Sequence, residues 1–223
     1  MSHDPFIAAQ VLRRARSAFY SRGNPVTSLR HAVVRLGMDV VRNIFVLACV
    51  ESHVFKATRF EGSMEMLRKH AVATAHAADL VARRSGATVD GFLLGLLHDI
   101  GFAACYVAVA ESVGRGEVPP APSLSEAASH VHAAVGEMLC QKWKLPEGLG
   151  AAIRDHHAQD FSAPALAILA IAELNAGECG YPGLEAIPER DEPLEKAYRA
   201  LGLAPFDEDL ARAIADRLSK QEI

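Results

Sequence analysis

Apolar residues at Ile7, Ala8, Val11, Leu12, Ala15, Ala18 and Phe19 recur at the spacing of one helical face, which predicts a helix over 6–19. Gly23, Asn24 and Pro25 break it. Thr27 or Ser28 offers a cap for a short helix that ends near Gly37. A longer helix is expected from Asp39 through Val40, Val41, Ile44, Phe45 and Leu47 to about Phe55. Gly62 and Ser63 mark another break, and an Ala-rich helix follows from Glu65 to Arg84, with Gly86 where a C-terminal cap belongs. The stretch from Val89 to about Glu111 reads as one very hydrophobic helix. Residues 114–122, with Gly114, Gly116, Pro119, Pro120 and Pro122, read as loop.

Ser123 and Glu126 have the spacing of a capping box, which predicts a helix from there to about Trp143. Pro146 fits the first position of a helix that ends around His156 and His157. Pro164 starts another, to about Ala176. Gly177, Gly180, Pro182, Gly183 and Pro188 predict an irregular link, and two short helices follow, over 191–201 and 207–218. No run alternates as a half-buried strand does, so the fold class is all-α.

Half of the chain is apolar and 22% is charged, which supports a packed core and excludes wholesale disorder. Lys and Arg number 23 against 27 Asp and Glu, a net charge of −4. That balance argues against a surface that tracks nucleic-acid phosphates. The four Cys form no C-x-x-C pair, which argues against a thiolate metal site. The N-terminus lacks the basic and apolar regions of a signal peptide. The longest apolar stretch, Phe92 to Ala110, carries His98 and Asp99 near its middle, a costly pair in lipid. A cytoplasmic protein without a membrane span is expected.

The chemistry concentrates in the histidines, of which there are ten. His98 and Asp99 sit inside an aliphatic run, where an ionised carboxylate costs several kcal/mol unless it is paired or coordinated. His70 has Ala71, Ala75 and Ala78 around it, small residues that permit close helix approach. His132 is followed four residues on by Gly136, which suggests a tight contact on that face. His156 and His157 end a predicted helix, and Glu173 lies in an apolar run. Together His70, His98, Asp99, His132, His156, His157 and Glu173 offer nitrogen and oxygen but no sulfur. Such a set suits one or two ions of Fe, Mn, Zn or Ni, with Asp99 shared if there are two. The competing reading is a hydrogen-bonded core network.

Several stretches resemble the HDOD domains of the HD superfamily: "SAFYSRGNPVTSLRHAVVRLGMDVVRNIFV", "RKHAVATAHAADLVA", "GFLLGLLHDIGFA" and "HVHAAVGEMLCQKWKLPEGLGAAIRDHH". The resemblance covers roughly residues 4–175. It implies a small helical N-terminal subdomain, over 1–58, and an HD-type helical bundle, over 59–177, with 178–223 as a helical extension. It also implies a signal-transduction output module, whose partners are signalling proteins or a cyclic nucleotide. Related HD-GYP domains hydrolyse cyclic di-GMP at a metal site. His70, His98, Asp99, His132, His156 and His157 match the metal-ligand positions of those enzymes, and Glu173 falls where they have Asp. Asp99 would be the catalytic residue if the likeness extended to activity.

Three departures bear on function. Phe102 stands where the catalytic relatives have a Lys that holds phosphate. No Gly-Tyr-Pro motif closely follows the His pair, and Gly180, Tyr181 and Pro182 come too late to be that motif. The chain also starts where such domains usually have preceding helices, which is expected to leave apolar surface for a partner. These departures favour a regulatory module without efficient catalysis; the alternative is a metal-dependent phosphohydrolase of cyclic nucleotides or phosphomonoesters.

Overall fold

The computed structural model describes residues 15, 26, 28–55, 58–186 and 188–221. Among these residues there is helix and turn but no strand. The helix predicted over 6–19 and the break at 23–25 lie outside the described residues, apart from Ala15, which is helical. Contacts divide the chain into two compact units, Met1–His53 and Val54–Ile223.

In the first unit, α1 (Leu29–Leu36) begins at Ser28, whose hydroxyl accepts from the His31 N–H at 3.2 Å. It ends at Gly37, whose positive φ of 80° turns the chain into α2 (Met38–His53). Ala15, Val26, Ala32 and Leu36 form a small core, with Val40, Val41 and Ile44 against it.

The second unit is built on α3 (Glu61–Ser85), which follows a 3-10 turn over Thr58–Phe60. Gly62 and Ser63 do not break it but lie in its first turn. The propensity penalty of Gly applies to a helix interior, so Gly in a first turn is tolerated. Buried Phe60, edge-on to Tyr106 at 4.9 Å, holds that end. Gly86 caps the other end in the left-handed conformation. The apolar run expected as one helix divides into α4 (Gly91–Leu97) and α5 (Ile100–Val113). This run is long and apolar enough to cross a membrane, yet two thirds of it is buried inside the protein.

The next helix begins at Ala121, ahead of the predicted capping box, with Pro122 in its first turn. It is interrupted at His130 and Val131, giving α6 (Ala121–Ser129) and α7 (His132–Lys142). α8 (Glu147–Arg154) has Pro146 as its cap residue and stops before the His pair. α9 (Pro164–Glu178), α10 (Glu192–Ala200) and α11 (Glu208–Leu218) complete the unit, the last two capped by Asp191 and Asp207.

α3, α9, α10 and α11 share one core that includes Val81, Ile168, Leu169, Ile171, Leu194 and Ile214. Arg217 of α11 reaches Asp79 of α3 at 3.3 Å, so the C-terminal helices pack into this unit. On the other side of α3, small residues set the spacing. A Cβ at Gly95 of α4 would lie 2.7 Å from the Thr74 carbonyl carbon of α3. A Cβ at Gly101 of α5 would collide with the His132 carbonyl of α7. These close approaches bring α3, α4, α5 and α7 within side-chain reach of one point.

Candidate metal centre

That point is occupied by Asp99. Its Oδ2 lies 3.5 Å from Nε2 of His98 and 3.8 Å from Nε2 of His70. Its Oδ1 lies 3.4 Å from Nε2 of His156 and 3.6 Å from Nε2 of His132. One carboxylate therefore faces two pairs of imidazoles, one pair per oxygen. Glu173 of α9 adds Oε1 at 3.3 Å from Nε2 of His98, and His157 adds Nε2 at 2.9 Å from that of His132. All seven residues singled out in the sequence thus converge. His70, His98, Asp99, His132 and His156 are buried; His157 is half exposed.

Helix ends and breaks, two of them missed from the sequence, are what position these side chains. Neighbouring residues of a continuous helix point ~100° apart. With Asp99 at φ −102° and ψ 13°, the chain leaves helical geometry between α4 and α5, and both His98 and Asp99 turn to the same side. His132 is the first residue of α7, and His156 and His157 stand in the turn after α8. Carbonyls in the last turn of a helix lack intrahelical partners, and three imidazoles satisfy them. Nδ1 of His98 donates to Gly95 O at 2.8 Å, Nδ1 of His132 to Ser129 O at 2.9 Å, and Nδ1 of His156 to Ile153 O at 2.6 Å. His70, mid-helix, instead donates to Tyr181 O at 2.9 Å.

These bonds decide the tautomers. A carbonyl only accepts, so each Nδ1 carries a proton and each neutral ring presents the bare lone pair of Nε2. Four such lone pairs face inward. The Nε2 atoms of His70 and His98 are 3.2 Å apart, and those of His132 and His156 are 3.4 Å apart. Lone pairs at that separation repel unless a cation, or a proton such as the one His156 takes up beside Asp99, lies between them. Donor bonds of ~2.0–2.1 Å at tetrahedral or octahedral angles put donors about 2.9–3.4 Å apart. The donor set therefore fits one or two divalent ions in chemistry and in spacing. Two groups have ligand atoms within 4.8 Å of one another: His70, His98 and Asp99, and His132, His156 and His157.

Without a cation the electrostatics remain strained. Burial pulls His98 down to about 3, against the pull of Asp99. Burial lowers His132 as well. Burial alone would raise Asp99, but the imidazoles of His98 and His156 outweigh it and hold its carboxyl well below the usual range. Burial also opposes a charge on His156, yet the hydrogen bond and charge of Asp99 win and raise it to about 9. Burial raises Glu173.

A cavity of about 100 Å³ lies over the cluster, lined by His70, Asp99, His157, Glu173 and Glu185 among others, with no Lys or Arg in its wall among the described residues. Phe102 does not face it. The ring is fully buried and stacks on His132, centroids 4.1 Å apart, so a Lys there would carry its charge into the core. Arg154 is exposed and is bound by Glu137 at 2.8 Å and Asp155 at 2.7 Å.

Sequence reasoning missed two contributors. Glu185 places Oε2 3.0 Å from Nε2 of His157. Tyr181 supplies the carbonyl that orients His70. Gly180, Tyr181 and Pro182, dismissed on spacing as a motif, thus run over the site.

Comparison with known proteins agrees with this architecture. A crystal structure of an HDOD domain protein of unknown function from Geobacter sulfurreducens superposes with a TM-score of 0.66 at 24% identity, covering 99% of this chain and 84% of that one. A protein from Shewanella amazonensis SB2B, named as a candidate metal-dependent phosphohydrolase, gives 0.67 at 19% identity, covering 96% and 81%. A protein from Marinobacter aquaeolei VT8, named as a candidate signal-transduction protein, gives 0.68 at 24%, covering 97% and 50%. At such identities the likeness establishes the fold. An uncharacterized protein of Treponema pallidum (strain Nichols) is 25% identical over 167 residues, which are 70% of this chain and 32% of that protein. The chain thus spans about a third of that curated relative. The HDOD domain profile matches residues 1–159, well over half of the sequence, and with the helical bundle and its His and Asp cluster this places the chain in the HDOD domain family.

Proposed function

We propose that the chain is a metal-holding regulatory module of signal transduction, whose partner is a signalling protein or a cyclic nucleotide and which does not turn over a substrate efficiently. The metal half of this reading is carried by one observation: four imidazoles have Nδ1 committed to carbonyls and Nε2 turned toward Asp99. His70, His98, Asp99 and Glu173 would hold one ion, and His132, His156, His157 and Asp99 a second. The chemistry such ions supply is Lewis-acid polarisation of a phosphoryl oxygen.

The regulatory half is supported by what surrounds the donors. Phosphoryl transfer needs positive groups that hold the phosphate where charge develops. Among the described residues the cavity wall contains none, and Arg154 is already neutralised by two carboxylates. A cavity of about 100 Å³ admits a few waters, each of which takes ~30 Å³ of liquid volume. Small-molecule sites usually offer ~300 Å³ or more.

The second reading, a metal-dependent phosphohydrolase, is favoured by the completeness of the donor set. Incubation of the metal-loaded full chain with cyclic di-GMP and with a phosphomonoester, read by chromatography, separates the two. The regulatory reading expects no turnover above that of Asp99→Asn. Sustained turnover by the unmodified chain would establish the hydrolase instead.

A further inference from the structure

The link between α9 and α10 crosses the mouth of the cluster and touches it at three points. Tyr181 O receives the Nδ1 proton of His70. Gly183 packs flat on the same imidazole, where a Cβ would sit 3.2 Å from Nε2. Glu185 reaches the opposite end and meets His157. The segment from Tyr181 to Glu185 therefore spans both halves of the donor set.

Glu185 also marks a boundary. It lines the small cavity over the donors, and it lines a groove of about 650 Å³ outside, between Tyr106, Pro122, Ser125, Ser129 and the link. The groove is large enough for a drug-sized ligand; the cavity is not. The four donors of the second ion, His132, His156, His157 and Asp99, leave an octahedral ion such as Mn2+ with an exchangeable coordination position. The nearest carboxylate outside the predicted set is that of Glu185, 3.0 Å from the His157 donor atom, which is the spacing of two ligands on one ion.

We propose that Glu185 is the carboxylate that fills this exchangeable position, so that the segment Tyr181–Glu185 is a strap closing the inner cavity to anions from the outer groove. The proposal rests on the metal reading above and adds a ligand and a closure to it. The strap is anchored by its own chemistry: a backbone carbonyl at one end and a carboxylate at the other, with a glycine between them to allow contact with His70.

The test is Mn2+ binding by the full chain, measured by equilibrium dialysis with elemental analysis, together with hydrogen exchange of the segment 181–186. The variants are Glu185→Gln and, as a control on the exposed part of the same link, Glu189→Gln. In the parent and in Glu189→Gln, Mn2+ is expected to slow exchange across the strap. In Glu185→Gln the weaker class of Mn2+ sites is expected to lose ~10-fold or more in affinity, with the slowing abolished and the tighter class unchanged. Equal affinity and equal protection in Glu185→Gln would overturn the proposal and reduce Glu185 to an ion pair with His157, leaving the metal reading intact. No Mn2+ uptake by the parent would overturn the metal reading and the strap ligand with it.

Discussion

Oδ1 of Asp99 lies 3.4 Å from Nε2 of His156, while the other oxygen of the same carboxylate faces His98 at 3.5 Å. One side chain thus faces imidazoles carried by α3, α7 and the turns after α4 and α8. Replacing it by its neutral isostere removes the charge and keeps the shape. Asp99→Asn is expected to weaken divalent-ion binding by at least ~100-fold, since even outer-shell substitutions cost 10–100-fold. Helical circular dichroism should be unchanged, because Asp99 makes no side-chain capping bond. Metal content equal to that of the parent would make Asp99 structural only.

Phe102 and His132 stack at 4.1 Å with an interplanar angle of 20°. Phe102→Lys therefore does not restore a phosphate-holding cation. It is expected to cost about 3 kcal/mol in urea denaturation, the penalty of an unpaired buried charge, and to bring no phosphodiesterase activity. A variant within about 1 kcal/mol of the parent would show that the lysine escapes to solvent.

The approach of α5 to α7 depends on Gly101. Gly101→Ala is expected to destabilise the fold by about 3 kcal/mol, because the neighbour is a backbone carbonyl that cannot rotate away. Gly148→Ala, in the first turn of α8 with nothing within 4 Å, is the control and should change stability by less than about 0.5 kcal/mol. Thermal melts of the two variants check the contrast.

Cys140 is buried, and burial pushes its thiol up to about 11, helped by Glu137. The unfolded thiol titrates near ~8.5. Folding thus favours the protonated form. The stabilisation is full below ~8.5 and is lost as pH rises toward 11. Denaturation of parent and Cys140→Ala between pH 8 and 11 should show a steeper alkaline loss in the parent. Parallel curves would contradict it.

Five of the seven convergent residues, His70, His98, Asp99, His132 and Glu173, were legible in the sequence as polar residues in an apolar or Ala-rich setting, and His156 and His157 as a pair at a predicted helix end. The helix interruptions at His98 and Asp99 and at His130 and Val131 were not, whereas the helix end near His156 was. Neither interruption contains Gly or Pro, and local propensity favours continuation through both. What ends the helices is the site: each imidazole takes the carbonyl three residues back and turns its other nitrogen toward Asp99. Glu185 was illegible for another reason. It lies in a link without periodicity, twelve residues past Glu173, where no spacing rule applies. The dense turn residues Gly180, Pro182 and Gly183 were its one signal, as they fold the chain back over His70.

The most direct test of the account is the metal content of the purified full chain after loading with Fe2+, Mn2+, Zn2+ or Ni2+ and gel filtration, read with its thermal transition. The account predicts one or two ions retained per chain and a higher transition temperature in the loaded protein, since an ion that binds only the folded state at 100 times its Kd adds about 2.7 kcal/mol. A chain that retains none of these ions, with a transition that none of them moves, would contradict it and leave a hydrogen-bonded histidine core in its place.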